Sequence, residues 1–199
     1  VAVAVHLDHF QDLELIEQGI RLGPAYGASS IMLDFSLHSH DENVSLTSDY
    51  ARRAHDVGLW VEAELGEIGG KDGAHAPGVR TDPAEAREFV ALTGIDGLAV
   101  AVGSSHAMTS KDAQLDLALI AELATAVPVP LVLHGSSGVS TSMLLDAVAA
   151  GIRKVNVGTA LSVAFTAAVR AFLAANPTAS DPRGYLGAAR GAVALAVTE

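Results

Sequence analysis

Six short apolar runs punctuate the chain, and polar residues close most of them. The runs cover residues 1–7, 30–33, 59–65, 97–102, 131–133 and 154–157. Few charges interrupt them, as expected of strands buried on both faces. Helical patterns lie between them, at residues 12–22, around 44–57, then at 115–127, 141–150 and 159–175. A further start is written at Thr81-Asp82-Pro83-Ala84-Glu85, where Asp82 can cap, Pro83 suits the first turn and Glu85 adds acid near the positive end. A loop spans 176–183 and a last helix is predicted over 185–197. Equivalent strand ends recur at a βα period: Asp8 to Asp34 is 26 residues, Asp34 to Glu64 is 30, and His106 to His134 is 28. Repeated βα units mean a parallel sheet, either an open doubly wound sheet or a (β/α)₈ barrel. No linker or low-complexity tract divides the chain, so it reads as one domain over 1–199.

Composition excludes several classes. Half of the 199 residues are hydrophobic and 18% are charged, which rules out a disordered chain. The formal net charge of −11 argues against a nucleic-acid or anionic-membrane partner, since no basic stripe is present. No apolar run reaches the roughly 18 residues needed to span a bilayer. With no cysteine there is neither a disulfide nor a thiolate zinc site, which fits a cytoplasmic setting.

The polar residues fall where a parallel α/β protein keeps its chemistry, at the C-terminal ends of strands. Those ends read His6-Leu7-Asp8-His9, Leu33-Asp34, Glu62-Ala63-Glu64, Gly103-Ser104-Ser105-His106, Leu133-His134-Gly135-Ser136-Ser137-Gly138 and Asn156-Val157-Gly158-Thr159. His9, His106 and His134 together look like a zinc site, three imidazoles leaving one position open. His6, three positions before His9, is assigned by strand parity to the opposite face, as a packing residue or an imidazole behind the ligands. His38, His40, His55 and His75 read as solvated. Asp8 is either an orienting partner of an imidazole or a general acid/base. Asp34 and Glu64 are alternative metal positions or hydrogen-bonding groups around the metal. Glu62 shares the parity of Glu64 and either faces the interior with it or serves the structure. Gly135, Ser136 and Ser137, with Asn156, Val157, Gly158 and Thr159, form two strand-to-helix turns whose backbone amides can hold an anion. Lys154, read as the first residue of its strand, leaves no lysine at a strand C-terminus.

These segments resemble the class II, zinc-dependent fructose-bisphosphate/tagatose-bisphosphate aldolase family. The most specific are His6-Leu7-Asp8-His9, Val61-Glu62-Ala63-Glu64-Leu65-Gly66 with Gly69-Gly70, Thr81-Asp82-Pro83, Leu133-His134-Gly135-Ser136-Ser137 and Lys154-Val155-Asn156-Val157-Gly158-Thr159. The resemblance implies a (β/α)₈ TIM barrel, of which about six of the eight βα units fall in this chain. With the opening at Val1-Ala2-Val3, inside an apolar run and without Met, this reads as an N-terminally truncated chain. It implies zinc on His9, His106 and His134, and Asp8 as the proton shuttle. It places the phosphate of dihydroxyacetone phosphate on Gly135–Ser137 and Asn156–Thr159, with a monovalent cation (Na⁺ or K⁺) nearby. The activity implied is reversible cleavage of a ketose 1,6-bisphosphate into dihydroxyacetone phosphate and glyceraldehyde 3-phosphate, in a homodimer or homotetramer.

The chain departs from the family pattern at four places. Ala107 stands where a glycine is usual. Phe35 stands where a small residue is usual and is expected to narrow the pocket rim. The connection Gly23-Pro24-Ala25-Tyr26-Gly27 is a few residues longer than expected, and Asp72 lies near the place of a catalytic glutamate. These departures keep a non-catalytic phosphate-ligand-binding paralogue as one alternative. A metal-dependent hydrolase on the same barrel is another, although Asn156 stands where a hydrolase usually carries an acid.

Overall fold

The computed structural model describes residues 2–65, 80–104 and 113–198. Six strands form one sheet: β1 (Val5–Phe10), β2 (Ala28–Leu33), β3 (Trp60–Glu64), β4 (Gly97–Ala99), β5 (Leu131–Leu133) and β6 (Ile152–Val155). They pair in sequence order and every pairing is parallel. Helices fill the connections: α1 (Leu13–Leu22), α2 (His40–His55), α3 (Pro83–Thr93), α4 (Leu117–Ala126), α5 (Thr141–Ala150) and α6 (Thr159–Ala175), with α7 (Pro182–Thr198) closing the chain. This is a partial (β/α)₈ barrel, with six βα units where the sequence predicts six. The last helix begins three residues before the predicted start, at Pro182, whose fixed φ suits a first turn.

Local signals place the helices. Asp12 accepts from Leu15 N–H, Ser39 and Glu42 form a reciprocal capping box, and Asp82 accepts from the amides of Ala84 and Glu85. Asp116 and Ser140 cap α4 and α5 in the same way. Each satisfies amides that the first helical turn leaves without partners. The extra residues at 23–26 form a 3₁₀ turn that ends at Gly27, where φ is +88°.

Two apolar layers result. Ile31, Leu33, Val61, Ala63, Leu98, Val100, Leu131 and Leu133 face the helices and meet Ile16, Ala51, Phe89, Ile120 and Leu123 in the main core. On the opposite face of the sheet Met32, Ala99 and Val132 form a small separate cluster. Register continues that inner face upward: Glu64 lies beside Ala99, and Val132 beside Lys154. Acid and base therefore sit side by side with these apolar residues on the inner face. Phe35 is fully buried, with its ring 5.8 Å from Tyr50 and 6.0 Å from His38. It belongs to the helix-side core, so the expected narrowing of the rim does not occur through this ring. α6 buries none of its residues and packs chiefly on α7.

Candidate active site at the strand ends

The site begins with a break in β1. His9 has φ +62°, and the pairing of β1 with β2 shifts register between Leu7 and Phe10. The alternation of side chains is thereby lost within the strand. This overturns the parity argument for His6. Its Nδ1 lies 2.8 Å from Ser30 Oγ, and its Nε2 lies 3.5 Å from Asp8 Oδ1 and 3.8 Å from Glu62 Oε2. His9 also turns inward, its ring centroid 5.2 Å from that of His134.

One ligand atom each from His9, Glu64 and His134 lies within 4.8 Å of the others. Glu64 is 2% exposed and His134 1%. Two imidazoles and a buried carboxylate are a donor set that suits zinc. Of the predicted ligands, His9 and His134 thus come together, and Glu64, named as an alternative position, joins them. His106 lies outside the described residues, as do Ser105, Ala107, Asp72 and His75.

Asp34 stands behind His9. Its Oδ2 is 3.5 Å from His9 Nε2 and accepts from Gln11 Nε2 at 2.5 Å, while Oδ1 accepts from the amide and hydroxyl of Ser36. Burial pushes the Asp34 carboxyl up, but the Ser36 and Gln11 hydrogen bonds outweigh it and the net direction is down. Asp8 is half-exposed on the same rim. The hydrogen bond with His6 holds its carboxyl below the ordinary value, against the opposing effect of burial.

The two predicted anion loops are tied together. Ser136 Oγ donates to Asn156 O at 2.6 Å, and Ala160 N–H donates to Ser137 Oγ at 3.0 Å. Gly135, at φ +67°, makes the turn that no side-chain-bearing residue takes readily. Gly158 precedes α6, which starts at Thr159. Ser104 Oγ donates to His134 O at 2.6 Å and fixes the backbone between the imidazole and the loop.

Sequence reasoning left Glu62 between two uses, misplaced Lys154 and missed Gln11. Glu62 is fully buried, and its Oε1 lies 2.8 Å from His134 Nε2. Lys154 does not begin its strand. β6 starts at Ile152, and Lys154 Nζ reaches inward to Glu62 Oε2 at 2.7 Å and Asn156 Oδ1 at 2.6 Å. Both contacts engage Nζ as a donor, one of them to a buried carboxylate. Gln11 had no signal beyond its place just after the strand. Far from the rim, His55 is exposed, as expected, and pairs with Asp96 at 2.8 Å.

A half-barrel with imidazoles and carboxylates gathered at its C-terminal strand ends defines a partial (β/α)₈ barrel with a candidate metal site. The chain belongs to the class-II fructose-bisphosphate aldolase family, whose model matches residues 1–199. It is similar to the YdjI aldolase of Escherichia coli K12, with 34% identity and a TM-score of 0.76 over 97% of this chain and 64% of that one. A Coccidioides immitis protein assigned as a fructose-1,6-biphosphate aldolase is also 34% identical, with a TM-score of 0.80 over 100% of this chain and 71% of that one. The fructose-bisphosphate aldolase of Campylobacter jejuni shares the fold at 24% identity, with a TM-score of 0.81. The chain thus spans about two thirds of the length of these relatives. Among the described residues no helix is long and apolar enough to cross a membrane.

Proposed function

We propose that the site serves reversible aldol cleavage of a ketose 1,6-bisphosphate to dihydroxyacetone phosphate and glyceraldehyde 3-phosphate, with zinc as the metal. The observation that carries this reading is the gathering of His9, Glu64 and His134 within 4.8 Å, with Asp8 on the same rim. A divalent cation held there supplies Lewis acidity to a substrate carbonyl. Asp8 then carries the proton to and from the aldehyde-derived oxygen. Its depressed pKa keeps it ionised at neutral pH, the form a base requires. His106 completes the ligand set in this reading.

The loops Gly135–Ser137 and Asn156–Thr159 receive the substrate phosphate through backbone amides, helped by a monovalent cation. Hydrogen bonds between the loops support this, because they hold the two sets of amides side by side. The pairing of Lys154 with Glu62 favours the metal route over a Schiff base. An uncharged Asn156 at the end of β6 speaks against a hydrolase. The acidic surface and lack of cysteine fit a cytoplasmic enzyme acting on a small sugar phosphate as a homodimer or homotetramer.

The test is zinc content together with a coupled cleavage assay on fructose and tagatose 1,6-bisphosphates. Chelation should abolish turnover, and zinc should restore it. His134→Ala should lose both zinc and activity. A chain that binds zinc yet cleaves neither ketose bisphosphate overturns the aldol assignment, and full activity in His134→Ala overturns the metal site.

A further inference from the structure

Glu62 is the most enclosed charge at the rim, and each of its oxygens has a different partner. Oε1 lies 2.8 Å from His134 Nε2, and Oε2 lies 2.7 Å from Lys154 Nζ. Lys154 Nζ also lies 2.6 Å from Asn156 Oδ1. Asn156 Nδ2 is in turn 3.0 Å from His134 Nε2 and 3.4 Å from Asp8 Oδ1. The network thus connects β3, β5 and β6 to β1.

These contacts over-determine the proton positions. Nε2 of His134 cannot accept from Asn156 and donate to Glu62 through the same site. An ionised carboxylate only accepts, and the contact with Glu62 is the shorter and charge-assisted one. Nε2 therefore carries the proton, and the lone pair of the neutral ring resides on Nδ1. The amide of Asn156 is fixed the same way. Lys154 can only donate, so Oδ1 faces Nζ and the amide NH₂ faces Asp8.

We propose that Glu62 and Lys154 are positioning residues that set the tautomer of His134 and the orientation of the Asn156 amide. The inference rests on the reading of His134 as a metal ligand. It adds that the ring meets the cation through Nδ1, with its other nitrogen anchored by a carboxylate that a lysine holds in place. Such partners orient a ligating imidazole and raise its basicity.

Two measurements test it. The first uses the full wild-type chain stripped of metal, with long-range ¹H–¹⁵N correlation spectra of the imidazoles, His134 being assigned by its loss in His134→Gln. The Nε2–H tautomer is expected, and the Nδ1–H tautomer overturns the proposal without any folding question. The second is zinc affinity by chelator competition. In Glu62→Gln, Lys154 still claims the side-chain oxygen, so the new NH₂ group turns to His134 and forces Nε2 to accept. Zinc affinity should fall about 10–100-fold. Adding Lys154→Met to Glu62→Gln frees the amide to turn its oxygen to His134 and should recover most of that loss. Unchanged affinity in Glu62→Gln, or a double variant weaker than the single, overturns the proposal. Wild-type cleavage that persists beside such a result leaves the aldolase reading standing. A wild-type chain with the expected tautomer but no zinc at His9 and His134 removes the aldolase reading and leaves the hydrogen-bond assignment intact.

Discussion

His9 shows how much a single backbone angle decides here. A left-handed φ on a residue with a Cβ costs roughly 1–2 kcal/mol, and β1 accepts that cost in order to turn the imidazole toward His134. His9→Gly should therefore make the metal-free protein more stable than His9→Ala, by about 1 kcal/mol in urea unfolding, while both lose zinc. Equal stabilities for the two variants would show that the angle is not strained. The same residue explains why His6 was misplaced. Alternation along a strand is a sound guide to facing only while the pairing stays in register, and no feature of the string His6-Leu7-Asp8-His9 announces the shift. Glu62 was more legible. Two carboxylates separated by one alanine on a strand share a face, so Glu62 was read with Glu64, although its parity left a structural use equally open. Lys154 was lost for a different reason. The pair Arg153-Lys154 resembles a solvated turn, whereas in β6 Arg153 is exposed and Lys154 turns inward to a carboxylate on β3.

At the scale of elements, the βα alternation carried nearly everything. Helices α5 and α6 have the predicted bounds, and the others begin or end within a few residues of them. The reason is that their ends are set by local chemistry, with caps at Asp12, Ser39, Asp82, Asp116 and Ser140, none of which depends on distant parts of the chain. Asp82 is the clearest case, since its carboxylate accepts from two amides. Asp82→Ala should cost about 1 kcal/mol in urea unfolding, and Asp82→Asn should recover most of it. A loss confined to zinc binding, with stability unchanged, would show that Asp82 acts on the site and not as a cap. Strand ends were less legible than helix ends: β5 has its predicted bounds, but β4 stops at Ala99, short of the predicted 102, because its neighbours, not its own composition, decide where pairing stops.

Across the whole molecule, the six strands curl far enough for a side chain on the end of β6 to meet one on β1, through Asn156 and Asp8. Repetition of the βα unit made that architecture readable, and the site with it, because a parallel barrel delivers the ends of all its strands to one rim. What repetition could not convey is how unevenly the parts are held. The sheet and α1–α4 share a continuous core, whereas α6 buries none of its residues and leans on α7. Few buried contacts mean a low free energy of local opening. In hydrogen exchange, the amides of α6 and α7 should exchange well before those of β2, β3 and α3, and simultaneous exchange of all of them would refute this.

That uneven attachment makes the anion loop more than a receptor. Its second half, Asn156–Thr159, is also the joint from which the loosely held hairpin hangs, and Ser137 holds that joint through Ala160 N–H. A phosphate that needs the hairpin closed would protect it by mass action, by about 2.7 kcal/mol at a hundredfold excess over its dissociation constant. Occupancy of the site and order of the C-terminal helices then become one equilibrium. The protein would register its substrate as a slowing of exchange some way from any atom the substrate touches.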